Sequence, residues 1–375
     1  MDSELRDALN SIEDPQLDLS LGDAGMLGEL RGDAGGVHVE LVVPIESWPT
    51  VDVLRDAVRR VSIDHGAGAP EVVVTVMQEA EIRALRTALR ERMAAPAEAG
   101  HTHGAAAEPT PAFLERGSPT RVLGISSGKG GVGKSSVTVN LAVSLAALGH
   151  RVGVLDADVY GFSIPKMVAA ADEPVILGDT VVPTFAHGVR WLSMGWFVND
   201  DQPVIWRGPL LHKAITQFVT EAWWGTPDYL VIDMPPGTGD VALTLSQVVP
   251  SVEMYVVTTP QPAAQRVAQR SALAARKLRL SVRGVIENMS YFVGDDATRY
   301  ELFGSGGGAS LAEDLGIPLL AQLAFVPAIR EGGDTGRPVA ATEPASEVGL
   351  AFAALAAKID AQGPARVYRQ ELRLA

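Results

Sequence analysis

The 375-residue chain contains no cysteine. That absence excludes disulfides, a nucleophilic thiolate, Cys-ligated zinc and any iron-sulfur cluster held by the chain's own thiolates. Basic residues are also in deficit, with 31 Lys+Arg against 45 Asp+Glu and a formal charge of −14. A surface of that sign disfavours broad nucleic-acid binding, which uses a basic face, so no nucleic-acid partner is expected. Long apolar runs are missing as well. No stretch approaches the roughly 18 to 20 residues needed to cross a bilayer, so no membrane association is expected. The opening Met1-Asp2-Ser3-Glu4 lacks the basic head and apolar core of a secretory signal, and the expected location is cytoplasmic. What remains is globular in character, 47% hydrophobic and 20% charged, with length for two or three domains.

Residues 1–93 read as a small α+β domain. Its expected elements are a helix over Ser3 to Ile12, an alternating strand over Val37 to Val43, a helix after Pro49, a β-branched strand over Glu71 to Val76 and a charged helix over Glu79 to Arg92. Residues 94–118 are rich in Ala, Gly and Pro without apolar periodicity, the pattern of a flexible linker. His101 and His103 lie inside it, a pair without the further ligands a metal site needs. Residues 119–375 alternate short buried strands with helices. Strands are expected at Val122 to Ser126, Arg151 to Asp156, Tyr229 to Asp233, Met254 to Thr259, Val282 to Asn288 and Pro318 to Phe325, with helices at Ser135 to Leu148 and Ala263 to Leu278. Such alternation makes an α/β fold with a mostly parallel sheet covered by helices on both faces, and ligands bind at the carboxyl ends of its strands.

Gly128-Lys129-Gly130-Gly131-Val132-Gly133-Lys134-Ser135-Ser136 lies between a buried strand and an apolar helix, the setting of a P-loop. Glycines there let successive N–H groups converge on one anion, and the helix N-terminus adds positive potential. Lys134 is expected along the β- and γ-phosphates, and the Ser135 hydroxyl on Mg²⁺. Two later strands end in acids, Asp156-Ala157-Asp158 and Asp233-Met234-Pro235-Pro236-Gly237. A carboxylate at the end of a buried strand needs a partner, and nucleotide-bound Mg²⁺ supplies one, which makes Asp233 the expected second metal ligand. The competing reading, that Asp156 or Asp233 only caps the following helix, stays open for both.

With its extra lysine, Lys129 to Ser135 resembles the deviant Walker A loop of MinD/ParA-type ATPases. More narrowly, the chain resembles the Mrp/ApbC iron-sulfur cluster carrier ATPases over residues 119–362. The motifs that carry this are Asp156 to Pro165, Trp206-Arg207-Gly208-Pro209, Asp233 to Asp240, Glu287-Asn288-Met289-Ser290 and Phe303 to Gly308. The first domain is similar to the iron-sulfur assembly domain often fused ahead of this ATPase. The resemblance implies ATP hydrolysis with Mg²⁺ and a homodimer with nucleotide at the interface, reached by Lys129 of the opposite subunit. It also implies Asp158 orienting the attacking water, Gly237 sensing the γ-phosphate, and Asn288 reading the purine with help from Phe325 to Arg330, Pro327 included. Without the family, a turn residue at a strand end is the simpler reading of Asn288. The implied partners are iron-sulfur apoprotein clients or assembly proteins.

The family's cluster ligands are a Cys-x-x-Cys after Asn-Met-Ser, two from each protomer, and this chain places Gly294 and Ala297 there. Relatives of the first domain often carry Cys-Pro where Trp48-Pro49 stands. Carboxylates such as Asp295 and Asp296 are poor replacements for thiolates on a soft cluster. The sequence therefore supports either an ATP-dependent carrier or assembly factor for clusters, or a cysteine-free nucleotide-switched dimer acting as a scaffold or positioning protein. A small-molecule kinase or ligase of the same fold would need an acceptor pocket that the sequence does not locate. Trp191, Trp196, Trp206, Trp223 and Trp224 form either a partner surface or buried core. The short mixed-charge end, Arg366 to Ala375, is unlike a membrane helix.

Overall fold

The computed structural model describes residues 2–33, 36–93, 111–115, 117–159, 161–170, 173–197, 208–237, 239–249, 251–294 and 296–365. His101, His103, Trp206, Arg207, Asp295 and the 366–375 segment lie outside them. The chain divides into two compact units. The first takes the described residues of Met1–Ala112 together with those of Ala171–Phe185 and Glu221–Gly225, and the second takes the remainder.

In the first unit, strands Leu27–Asp33 and Gly36–Val43 pair antiparallel, and Gly36–Val43 pairs in parallel with Glu71–Val76. Helices Asp2–Asn10, Val51–Asp64 and Glu79–Met93 complete it. The first helix stops two residues before the expected Ile12, and Glu13–Asp14 instead pairs with Leu19–Ser20 around the Pro15 turn. Asp14 is fully buried and its carboxylate is saturated. Oδ1 accepts the Gln16 and Leu17 N–H groups, and Oδ2 accepts Trp48 Nε1 at 2.8 Å and Thr50 Oγ1 at 2.7 Å. A buried carboxylate with that many donors is inexpensive to keep, so the Trp48-Pro49 position holds a structural lock. The hairpin Val175–Leu177/Thr180–Val182 adds Val175, Leu177 and Val182 to the same core as Leu9, Leu41 and Trp48. Arg86 and Arg90 both pair with Asp179 at its turn.

In the second unit the parallel strands run in the order Val189–Ser193, Val152–Asp156, Tyr229–Asp233, Arg121–Ser127, Glu253–Thr258, Ser281–Val293 and Leu319–Ala324. Every residue of Arg121–Ser127 and Tyr229–Asp233 is buried, which is why those runs read as continuous Val, Ile and Leu. Leu123, Ile125, Val154 and Val231 join a core with the loop-following helix Lys134–Ala147 and the helix Glu347–Ala361. Helices Pro262–Lys277 and Gly307–Leu315 pack together. Arg121 starts the central strand and makes a bidentate pair with Glu253, Nε to Oε1 at 3.0 Å and Nη2 to Oε2 at 2.7 Å, both residues being buried.

Strand Val189–Ser193 was not among those expected. Its Arg190 breaks the apolar run, yet Trp191 is fully buried and Ser193 lies in register with Asp156. Trp191, Trp223 and Trp224 are core residues, and Trp196 packs partly buried against the second unit's core, so the tryptophans inside the described residues follow the buried reading. Among the described residues no helix is long and apolar enough to cross a membrane.

Candidate nucleotide site

The loop after Arg121–Ser127 turns through Gly131 and Gly133, both at φ +78°, a region open to glycine at little cost. Packing adds a second demand for glycine. A Cβ at Gly128 would fall 2.3 Å from the Ala268 nitrogen, and one at Gly133 would fall 2.3 Å from Asn288 Nδ2. The loop therefore lies directly against helix Pro262–Lys277 on one side and the Asn288 side chain on the other.

Lys134 opens the following helix and is 6% exposed. Its ammonium donates to Asp233 Oδ2 at 2.6 Å and stands 3.5 Å from Asp158 Oδ2. Ser135 Oγ donates to the same Asp233 oxygen at 2.6 Å, and Thr138 Oγ1 to the other at 2.7 Å. Burial lowers the Lys134 pKa, but the Asp233 charge and hydrogen bond, with Asp158 and Asp156 behind them, more than offset it and leave the ammonium above its ordinary value. Asp156 is fully buried; desolvation and then the Asp233 charge push it up to about 7. Neither acid caps a helix. Helix Ile164–Val168 takes Ser163 as its N-cap and helix Asp240–Val248 takes Gly239, while Asp156 accepts the Ser193 hydroxyl at 2.9 Å and the Asp158 N–H at 3.1 Å.

A cavity of about 610 Å³ opens over this cluster, lined by the loop from Lys129 to Ser136 and by Asp158, Ser163 and Pro235 among others. A second, of about 720 Å³, is lined by Asn288, Met289, Phe325, Pro327 and Arg330 among others. Gly133, Ser136, Ser163 and Met167 line both, so the two are halves of one cleft, the first the more polar and holding Lys134 and Asp158, the second more apolar. Asn288 sits in a bulged part of strand Ser281–Val293 and donates from Nδ2 to the Val132 carbonyl at 2.9 Å, so it serves the loop as well as the second cavity. Lys129 Nζ donates to Gln261 Oε1 at 3.1 Å, and the Gly237 N–H donates to the Ser127 carbonyl at 2.8 Å. Sequence reasoning missed Ser193, Thr138 and Met167. Only Thr138, one helical turn past Lys134 on the face toward Asp233, carried a readable signal.

The segment where the resemblance places cluster cysteines is a closed turn at the tip of a hairpin formed by Ser281–Val293 and Arg299–Tyr300. The Gly294 N–H donates to the Thr298 carbonyl and the Ala297 N–H to the Gly294 carbonyl, both at 2.9 Å, with Ala297 at φ +61°. Asp296 accepts the Thr298 N–H at 3.0 Å and its hydroxyl at 2.8 Å, which holds the carboxyl below its ordinary range. Among the described residues no group of three or more His, Asp or Glu could hold a metal ion.

A family model described as NUBPL iron-transfer P-loop NTPase matches residues 118–360, and one described as iron-sulfur cluster assembly protein matches residues 2–76. The iron-sulfur cluster carrier protein of Mycobacterium tuberculosis is 40% identical over 357 residues, 93% of this chain and 90% of that protein. The protein of that name from Synechocystis is 37% identical over 359 residues, 94% of each. Among solved structures, a nucleotide-binding protein of Archaeoglobus fulgidus in complex with ADP superimposes with TM-score 0.53 at 31% identity, covering 62% of this chain and 91% of its own. The cell division ATPase MinD of Pyrococcus furiosus gives 0.51 at 25%, covering 64% and 99%.

Proposed function

This chain belongs to the NUBPL-type iron-transfer P-loop NTPase family, and from that premise we propose that it binds and hydrolyses ATP in the maturation of iron-sulfur proteins. The observation that carries the nucleotide part is the contact of Lys134 and Ser135 with one oxygen of buried Asp233, at 2.6 Å each, at the floor of a glycine-built cavity. Those hydroxyl and carboxylate oxygens are hard donors and fit Mg²⁺, whose remaining ligands come from phosphate and water. Bound there, Mg²⁺ would neutralise charge on the β- and γ-oxygens.

In this proposal the phosphates draw the Lys134 ammonium from Asp233 into the cavity and accept the loop N–H groups from Gly130 to Ser136. Asp158 orients the attacking water, and Gly237 gives up its bond to Ser127 to follow the γ-phosphate. Asn288 and Pro327 border the purine. Lys129 leaves Gln261 and reaches the nucleotide of a second copy, placing a cation where charge develops in phosphoryl transfer. Calorimetric titration with Mg-ATP and phosphate release tests this. Tight binding with turnover supports it, and absence of ATP binding rejects it.

The cluster is cargo in the related carriers by name, and the closed turn at Gly294 and Ala297 offers it no thiolate. That turn favours a second reading of the same engine, a nucleotide-switched dimer that grips and releases an apoprotein client or assembly partner without ligating a cluster. Anaerobic reconstitution with iron and sulfide separates the readings. Stoichiometric iron retained through desalting returns the carrier role, and iron-free protein with intact ATPase activity supports the switch.

A further inference from the structure

Glu287 is buried to 1% exposure, and its partners among the described residues are uncharged donors. Ser290 Oγ donates to Oε1 at 2.9 Å, Gln322 Nε2 to the same oxygen at 2.8 Å, and the Gly308 N–H to Oε2. A carboxylate in such a place costs stability unless its bonds secure something. What they join is specific. Ser290 lies three residues on along the same strand, Gln322 on the neighbouring strand, and Gly308 in the first turn of helix Gly307–Leu315.

Between Glu287 and Ser290 the strand leaves its regular register, and Met289 adopts φ +54°, a left-handed conformation strained for a non-glycine residue. The bulge directs Asn288 onto the Val132 carbonyl and sets Asn288 and Met289 in the wall of the 720 Å³ cavity. Two glycines of the 304–308 run, Gly307 and Gly308, are required by close packing beside this node. A Cβ at Gly308 would lie 2.7 Å from Glu287, and one at Gly307 would lie 2.2 Å from the carbonyl oxygen of Pro260, next to the Gln261 that holds Lys129.

We propose that Glu287 is a positioning residue for the base end of the nucleotide cleft, holding the Asn288-Met289 bulge in its strained form so that the purine half exists before ligand arrives. The assignment rests on the nucleotide reading above. Among the described residues the hydrogen bonds of the Glu287 carboxylate go to Ser290, Gln322 and Gly308 and none to the phosphate loop, which it reaches only through the Asn288 bond to Val132, so its loss is expected to fall mainly on base recognition.

The test compares Mg-ATP with Mg-tripolyphosphate, which has no base, by calorimetry on the full chain and on Glu287→Ala and Ser290→Ala. For Glu287→Ala, ATP affinity falls about tenfold or more while tripolyphosphate affinity stays within about twofold. Ser290→Ala removes one bond and gives a smaller loss in the same direction, about threefold, so the outcome stands even where Glu287→Ala does not fold. A merely structural role would weaken both ligands together, and that result, or unchanged ATP affinity in both variants, overturns the proposal. A parent protein that binds neither ligand rejects the nucleotide reading itself.

Discussion

The Trp223 indole donates from Nε1 to the Leu17 carbonyl at 2.7 Å, and the Trp223 N–H donates to the Val181 carbonyl at 2.8 Å. A residue from the middle of the chain thereby completes the core of the N-terminal unit, where it is fully buried. Trp223→Ala removes both the packing and the Leu17 bond. The expected loss is about 3–5 kcal/mol of that unit's stability, read by denaturant unfolding of the full chain. A loss below about 1 kcal/mol would show that residues 221–225 are dispensable to that core.

Two central strands of the P-loop unit were legible in the sequence because their burial is total, whereas Val189–Ser193, equally buried, was hidden by Arg190. Val122 to Ser126 and Tyr229 to Asp233 have no solvent face to interrupt the apolar run, and the structure extends or matches them. Val175–Leu177 and Thr180–Val182 were invisible for the opposite reason. Three-residue strands bury alternate side chains, and the core they join, with Leu9, Leu41 and Trp48, lies far away in sequence. At the site, the strand–loop–helix setting of Gly128 to Ser136 was readable from spacing and Asp233 from its place at a strand end, while the role expected of Asp158 came through the family resemblance. The Ser193 contact to Asp156 depends on a parallel register between two strands, which no local pattern encodes.

Gly133→Ala tests the fit between loop and base. The added methyl would meet Asn288 Nδ2 at 2.3 Å on a backbone at φ +78°, so either the loop or the Asn288 bond to Val132 must yield. ATP affinity is expected to fall on the order of tenfold or more from strain and the broken contact, as measured by calorimetry. Affinity equal to the parent would mean that the loop moves away from Asn288 without cost.

Lys134→Ala removes the cation proposed to meet the phosphates, and among the described residues leaves the Asp233 carboxylate with the hydroxyl donors of Ser135 and Thr138. Turnover is expected to drop on the order of a hundredfold or more, the scale of losing one charge-stabilising donor. Full ATP turnover in this variant would overturn the P-loop assignment.

Lys129→Ala separates binding from chemistry. Its contact, Gln261 at 3.1 Å, lies at the start of the neighbouring helix, outside the Asp233 cluster, so nucleotide affinity should hold within about twofold. Hydrolysis should fall on the order of a hundredfold, the signature of a cation delivered in trans. The parent's specific activity should rise with protein concentration as copies pair. Unchanged turnover in the variant counts against the trans-acting lysine.

Restoring cysteines tests whether the cargo site is lost in sequence only or also in shape. A Cβ at Gly294 would approach Asp296 Oδ1 to 2.8 Å and Tyr300 Cε2 to 3.0 Å, and Ala297 already sits in a left-handed conformation that a cysteine tolerates poorly. In Gly294→Cys/Ala297→Cys the first thiol must displace a carboxylate tied to Thr298, and a carboxylate beside the thiolates disfavours their ionisation. After anaerobic reconstitution, the double variant is expected to retain less than stoichiometric iron, and addition of Asp296→Gly to raise that amount. Full, stable cluster loading in the double variant would show that the turn opens freely and that only the sulfur atoms are missing.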